Sequence, residues 1–94
     1  MRICMIDGEK LKDKEMLHDA MAQAMDFPDW YGRNLDALHD CLTDVREETE
    51  IRIRNERALS EHLGSYAAAF KKVLCMAAKE NERIRWEGQR NGSE

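Results

Sequence analysis

Pro28-Asp29-Trp30-Tyr31-Gly32-Arg33-Asn34-Leu35-Asp36-Ala37-Leu38-His39-Asp40-Cys41-Leu42-Thr43-Asp44 is a loop segment running into one helix with two sharply different sides. With Asp36 as origin and about 100° per residue, Asp40 falls near 40°, Asp44 near 80°, Thr43 near 340° and His39 near 300°, while Leu35, Leu38 and Leu42 cluster between about 200° and 260°. One side belongs to a core and the other carries acids and hydrogen-bonding groups. Like charges four apart cost a helix roughly 0.2 to 0.5 kcal/mol per pair. Aspartate is also a mediocre helix former, and a merely solvated face would more naturally carry Glu, Lys or Gln. Stacking Asp36, Asp40 and Asp44 therefore works against the helix and calls for a cationic complement. The helix is expected from about Asn34 to Val45, with Asn34 capping its N-terminus and Asp36 meeting the positive end of its dipole.

Working outward, Arg2 to Ile6 is a short apolar run ended by Asp7-Gly8, which suits a buried strand and a turn. Leu17, Ala20, Met21, Ala24 and Met25 follow the i, i+3, i+4, i+7, i+8 pattern of an amphipathic helix, with Asp13 as N-cap and Pro28 closing the segment. Glu50-Ile51-Arg52-Ile53-Arg54 alternates with period two, predicting a strand with one face covered. Asn55 is placed to cap a short helix through Leu59 and Leu63 that stops at Gly64. Ser65 opens a longer one with Phe70, Val73, Leu74, Ala77 and Ala78 inward and a polar end from Lys79 to Glu82. Arg83-Ile84-Arg85-Trp86-Glu87 alternates again as a third strand. The order strand, two helices, strand, two helices, strand gives an α/β fold with a small parallel sheet and right-handed helical crossovers. Residues 1–87 are expected to form one domain, with 88–94, which contain no apolar residue, as a frayed tail.

The chain has 94 residues, enough for a single core but too few to enclose a deep cleft of its own. A formal charge of -4 argues against general nucleic-acid binding, which requires a basic surface. The acidity is concentrated: Asp36, Asp40, Asp44, Glu47, Glu48 and Glu50 face one base, Arg46, within fifteen positions, so a basic partner is the natural complement. Cys4, Cys41 and Cys75 are odd in number, far apart and set among apolar neighbours, which predicts buried free thiols. No ligand spacing for zinc and no redox dithiol is present. With no signal-peptide h-region and no span near 20 apolar residues, the expectation is a cytoplasmic protein without membrane or cofactor.

At Trp30-Tyr31-Gly32-x-Asn34-Leu35-Asp36-Ala37-Leu38-x-Asp40-Cys41-Leu42-Thr43 the chain strongly resembles the barstar-like ribonuclease inhibitors. Ile6-Asp7-Gly8-Glu9 and Leu63-Gly64-x-Tyr66, with Val73, Ala77, Ala78, Glu80 and Asn81, also follow that family's pattern, and the order of elements agrees over nearly the whole chain. The resemblance implies a three-stranded parallel sheet packed with about four helices. It also implies one-to-one inhibition of a small basic ribonuclease by plugging its active site, by a protein that is monomeric when free and is not itself an enzyme.

Carried over by motif position, the partner-binding surface would comprise Trp30, Asn34, Asp36, His39, Asp40, Thr43, Asp44 and Glu80. Asp40 would be the anchor, its carboxylate standing where substrate phosphate would sit and accepting hydrogen bonds from nuclease Arg and His side chains. Asp36 would meet further donors, Trp30 would stack on a catalytic histidine, and Glu80 would pair with a rim cation. Three positions depart from the family. His39 replaces an aromatic, usually Trp; Asp44 replaces a small residue; Met76 replaces an acid. These changes bear on which nuclease is bound and leave room for an acidic adaptor of the same fold that binds another basic protein.

Charge-rich helix faces are commonly just solvated, and it is the motif match that lifts this one above that reading. Trp30 is expected as a contact, Tyr31 as partly buried support and Gly32 as a permissive backbone position. A metal-dependent hydrolase centred on Asp36, His39 and Asp40 would have an open helix face without supporting groups, a poor metal site. His18 and His62 stand in no constellation. Met5, Met16, Met21, Met25 and Met76 are expected as core filler.

Overall fold

A computed structural model describes residues 1–86. The order is β1 (Arg2–Asp7), α1 (Lys14–Met25), α2 (Leu35–Thr43), β2 (Thr49–Arg54), α3 (Glu56–Leu63), α4 (Ser65–Glu80) and β3 (Ile84–Trp86), with a 3-10 turn at Gly8–Lys10. The strands form one parallel sheet in the order β1-β2-β3. This is the expected α/β architecture; Glu87, placed in the third strand above, and the tail 88–94 lie outside the described residues.

Register explains the burial. Cys4, Ile51 and Trp86 pair across the sheet and are all buried, as are Ile6, Thr49 and Ile84 on the same face. That face meets α1, which packs on β1, and α4, which packs on β3; α2 in turn lies on α4. Leu17, Met21, Leu38, Leu42, Leu59, Phe70 and Leu74 complete the core at 0 % exposure.

Several expectations are corrected. β1 is buried on one face only: Ile3 and Met5, adjacent to Glu50 and Arg52 of β2, point to the opposite face and are exposed. A continuous apolar run does not distinguish a strand covered on one side from one covered on both. Met5, Met16 and Met76 are exposed, whereas Met21 and Met25 are core. Cys4 is buried, its thiol pushed up to about 12 by desolvation, but Cys41 and Cys75 are only half-buried. Asn55 does not cap α3 with its side chain; it takes a left-handed φ of 55° and donates to Asp7 Oδ1 at 2.7 Å, tying the end of β2 to the end of β1. Gly8 permits that closure, since a Cβ there would stand 2.4 Å from the Asn55 carbonyl oxygen. No helix of the described residues is long and apolar enough to cross a membrane.

Candidate binding face

Local chemistry fixes both ends of α2. Asn34 takes an extended φ of -141° and its Oδ1 accepts from the Ala37 amide at 2.7 Å, the expected cap. At the other end Asn81, just past α4, donates through Nδ2 to the carbonyls of Leu42 at 3.0 Å, Thr43 at 3.4 Å and Val45 at 2.9 Å. The Leu42 carbonyl already accepts from the Val45 amide at 3.2 Å, so this one amide adds a further donor there, supplies the Thr43 and Val45 carbonyls, and fixes α2 against α4. The sequence marked Asn81 only through its family resemblance. Its clamping role needs the third dimension, because its acceptors lie 36 to 39 residues away.

With Leu38 and Leu42 locked into the core, rotation about the helix axis is settled. Asp36, Asp40, Thr43 and Asp44 are exposed and His39 is half-exposed. Among the described residues no cation forms an ion pair with Asp36, Asp40 or Asp44. The thiol of Cys41, on the same helix, is held above its ordinary value by desolvation first and then by Asp40 and Asp44. The cationic complement demanded by the sequence is therefore not supplied within the described residues. Thr43 turns its hydroxyl back to the Asp40 carbonyl at 3.0 Å, which costs it no acceptor capacity toward a ligand.

Trp30, Asp40 and Asp44 line one open groove of about 900 Å³, floored by Met25, Phe27, Ala37, Cys41 and Val45. Trp30 is 79 % exposed, the most exposed large apolar side chain among the described residues. Arg2 borders the groove but is already engaged, donating to the Met25 carbonyl at 2.8 Å and pairing with Glu47 at 3.1 Å. Asn34 and Asp36 are not part of the groove lining. His39 and Glu80 come together from α2 and α4: Nε2 lies 2.9 Å from Glu80 Oε1, ion-pair distance for a protonated ring, though not aligned as a hydrogen bond. His39 faces Glu80 rather than a carboxylate cluster, and no three metal-ligating side chains converge among the described residues.

The loop carrying Trp30 is held from α1. Arg33 is the residue with left-handed backbone, φ 55°, and its guanidinium pairs with Asp19. This corrects the role expected of Gly32, which is needed for space: a Cβ there would crowd Ala37 Cβ at 3.2 Å and Asn34 Nδ2 at 3.3 Å. Tyr31 is fully buried rather than partly so, its ring tilted at 50° against Phe27 with centroids 4.8 Å apart. Its hydroxyl meets His18 Nδ1 at 2.6 Å, and His18 Nε2 meets the Tyr66 hydroxyl at 2.7 Å. His18, assigned to no constellation above, thus sits at 1 % exposure between two phenols from distant segments.

Comparison with known proteins gives two findings. The family described as Barstar (barnase inhibitor) matches residues 1–90. A protein of Bacillus subtilis (strain 168) named "Putative ribonuclease inhibitor YrdF" is 43 % identical over 81 residues, which cover 85 % of this chain and 89 % of that protein.

Proposed function

The chain belongs to the barstar (barnase inhibitor) family, and from that premise we propose that it is an intracellular inhibitor of a small basic ribonuclease, acting one to one by occupying the nuclease active site with the α2 face. The observation that carries this is the set of three exposed carboxylates, Asp36, Asp40 and Asp44, left without a cationic partner among the described residues beside an exposed Trp30.

A ribonuclease cleft must hold cationic groups to bind the phosphates of RNA. Asp40, midway along α2 and at the groove edge, presents an acceptor-only carboxylate to such groups, as a phosphate oxygen would. Once water is excluded around it, the Asp40 pair governs how long the complex lasts, and the surrounding acids govern how fast it forms. Trp30 offers an apolar plate with one N–H donor, suited to stacking on an imidazole. His39 and Glu80 sit at the α4 side of this face and set its rim chemistry: Glu80 is shared between His39 and any nuclease cation that approaches it.

The reading is tested by titrating RNA cleavage by a panel of small basic ribonucleases with this protein. Loss of cleavage at one equivalent is expected for at least one of them. Cleavage untouched across the panel would instead fit an acidic adaptor.

A further inference from the structure

His18 occupies a site that the inhibitory face does not use, yet it reaches that face through one residue. Its Nδ1 is bonded to Tyr31 and its Nε2 to Tyr66. The Tyr31 hydroxyl is buried and has no other hydrogen-bond partner among the described residues, whereas Tyr66 is half-exposed and can direct its own proton to water. Tyr31 must therefore donate to Nδ1, because accepting there would strand its proton in the core. Neutral His18 is then the Nε2–H tautomer, donating to Tyr66.

Tyr31 in turn shapes the loop. Its amide donates to the Pro28 carbonyl at 3.0 Å, its ring packs on Phe27, and its neighbour is the exposed Trp30. We infer that His18 is the positioning residue for the Trp30 loop, holding residues 28–34 in the shape a nuclease meets by accepting the Tyr31 hydroxyl at Nδ1. Its bearing on binding rests on the inhibitor reading; its bearing on the loop does not.

Protonation of the ring occurs at Nδ1, so Tyr31 can no longer donate there and its hydroxyl proton is left without an acceptor in the core. The charged groups acting on the ring are Asp19 from α1 and Arg33 from the loop; of its two phenol partners, Tyr31 from the loop interacts with Cys41 of α2, and Tyr66 from α4 lies under the Lys14 ammonium of α1. Burial and the Arg33 charge disfavour the imidazolium, and Asp19 opposes them more weakly, so His18 titrates below its ordinary range. The loop is accordingly locked at neutral pH and released on acidification.

The test follows imidazole ¹⁵N and backbone amide signals of the free protein with pH, in a His39→Gln background that silences the histidine of the binding face. Calorimetry against a barnase-type ribonuclease then compares the wild-type chain with Tyr31→Phe, each with and without His39→Gln. At neutral pH, Nδ1 should resonate as unprotonated and Nε2 as protonated. On acidification the amides of residues 29–33 should move with the midpoint of the His18 ring, and Tyr31→Phe should uncouple them. Loss of the link, by acid or by Tyr31→Phe, should weaken nuclease binding about 2- to 10-fold. An Nδ1–H tautomer, or loop amides indifferent to the ring, would overturn the inference. Coupled ring and loop in a protein that binds no ribonuclease would uphold the clamp and sink the inhibitor reading. Tight nuclease binding unaffected by acid and by Tyr31→Phe would sink the clamp's part in recognition and leave that reading standing.

Discussion

Asp40 stands on the exposed side of a helix whose other side is buried, its carboxylate in water one helical turn from Asp36 and from Asp44. On the proposed reading, folding gains nothing from it and recognition gains much. Asp40→Ala should leave thermal unfolding unchanged or slightly raised, by no more than about 0.5 kcal/mol, since it relieves like-charge repulsion. Loss of one partner of a desolvated charge pair costs about 2 to 5 kcal/mol or more, a range for which barnase with barstar is itself a reference case. Inhibition should therefore fall by well over tenfold in the same variant. A large loss of stability would make Asp40 a structural residue. His18 behaves in the opposite way. Its folded value lies below the 6.5 of a free imidazole, so the unfolded chain takes up a proton that the folded chain refuses. Its contribution is full above about pH 6.5 and is lost as pH falls toward the folded value. Urea midpoints of wild type and His18→Gln, compared at about pH 7.5 and about pH 5, should converge on acidification; a gap that widens would contradict the assignment. Asp40 was legible in the sequence because charge spacing and motif coincide on it. His18 was not, since both its partners, Tyr31 and Tyr66, are brought to it by tertiary packing.

The element that matters is α2, nine residues long and burdened by three stacked acids. Isolated helices of that length are marginal in water even for favourable sequences. It persists because Leu38 and Leu42 are buried, Asn34 caps its start, and Asn81 gathers the carbonyls at its end. Asn81→Ala removes the side-chain donor shared by those carbonyls and should cost about 0.5 to 1.5 kcal/mol in chemical denaturation. No measurable change in the denaturation midpoint would mean that water serves the carbonyls equally well. Periodicity located α2, and the side chains of Asn34 and Asp13 were rightly placed as caps from their positions ahead of apolar repeats. It failed for Asn55, whose side chain is drawn away to Asp7, and for the outer face of β1, where Ile3 and Met5 give an apolar signal without burial. At Asn55 a contact from another element outweighed the local pattern, whereas at Ile3 and Met5 the apolar residues lie on a face left exposed.

At the scale of the molecule, the described residues form a sheet and four helices, with the acidic helix and the exposed indole lining one groove. Alternation at Glu50–Arg54 and Arg83–Glu87 and the two helical stretches between them were enough to give the parallel topology, because parallel neighbours require crossovers of that length. The groove was not legible, as it is formed by Arg2, the 26–32 loop and α2 together. An unpaired negative face of this kind steers a cationic nuclease over distances that salt screens within about 8 to 10 Å. The central claim, that this face closes on a cationic active site, is tested most directly by titration calorimetry against a barnase-type ribonuclease at low and at physiological salt. The account predicts a one-to-one complex that weakens as salt is raised; absence of binding, or binding indifferent to salt, would contradict it.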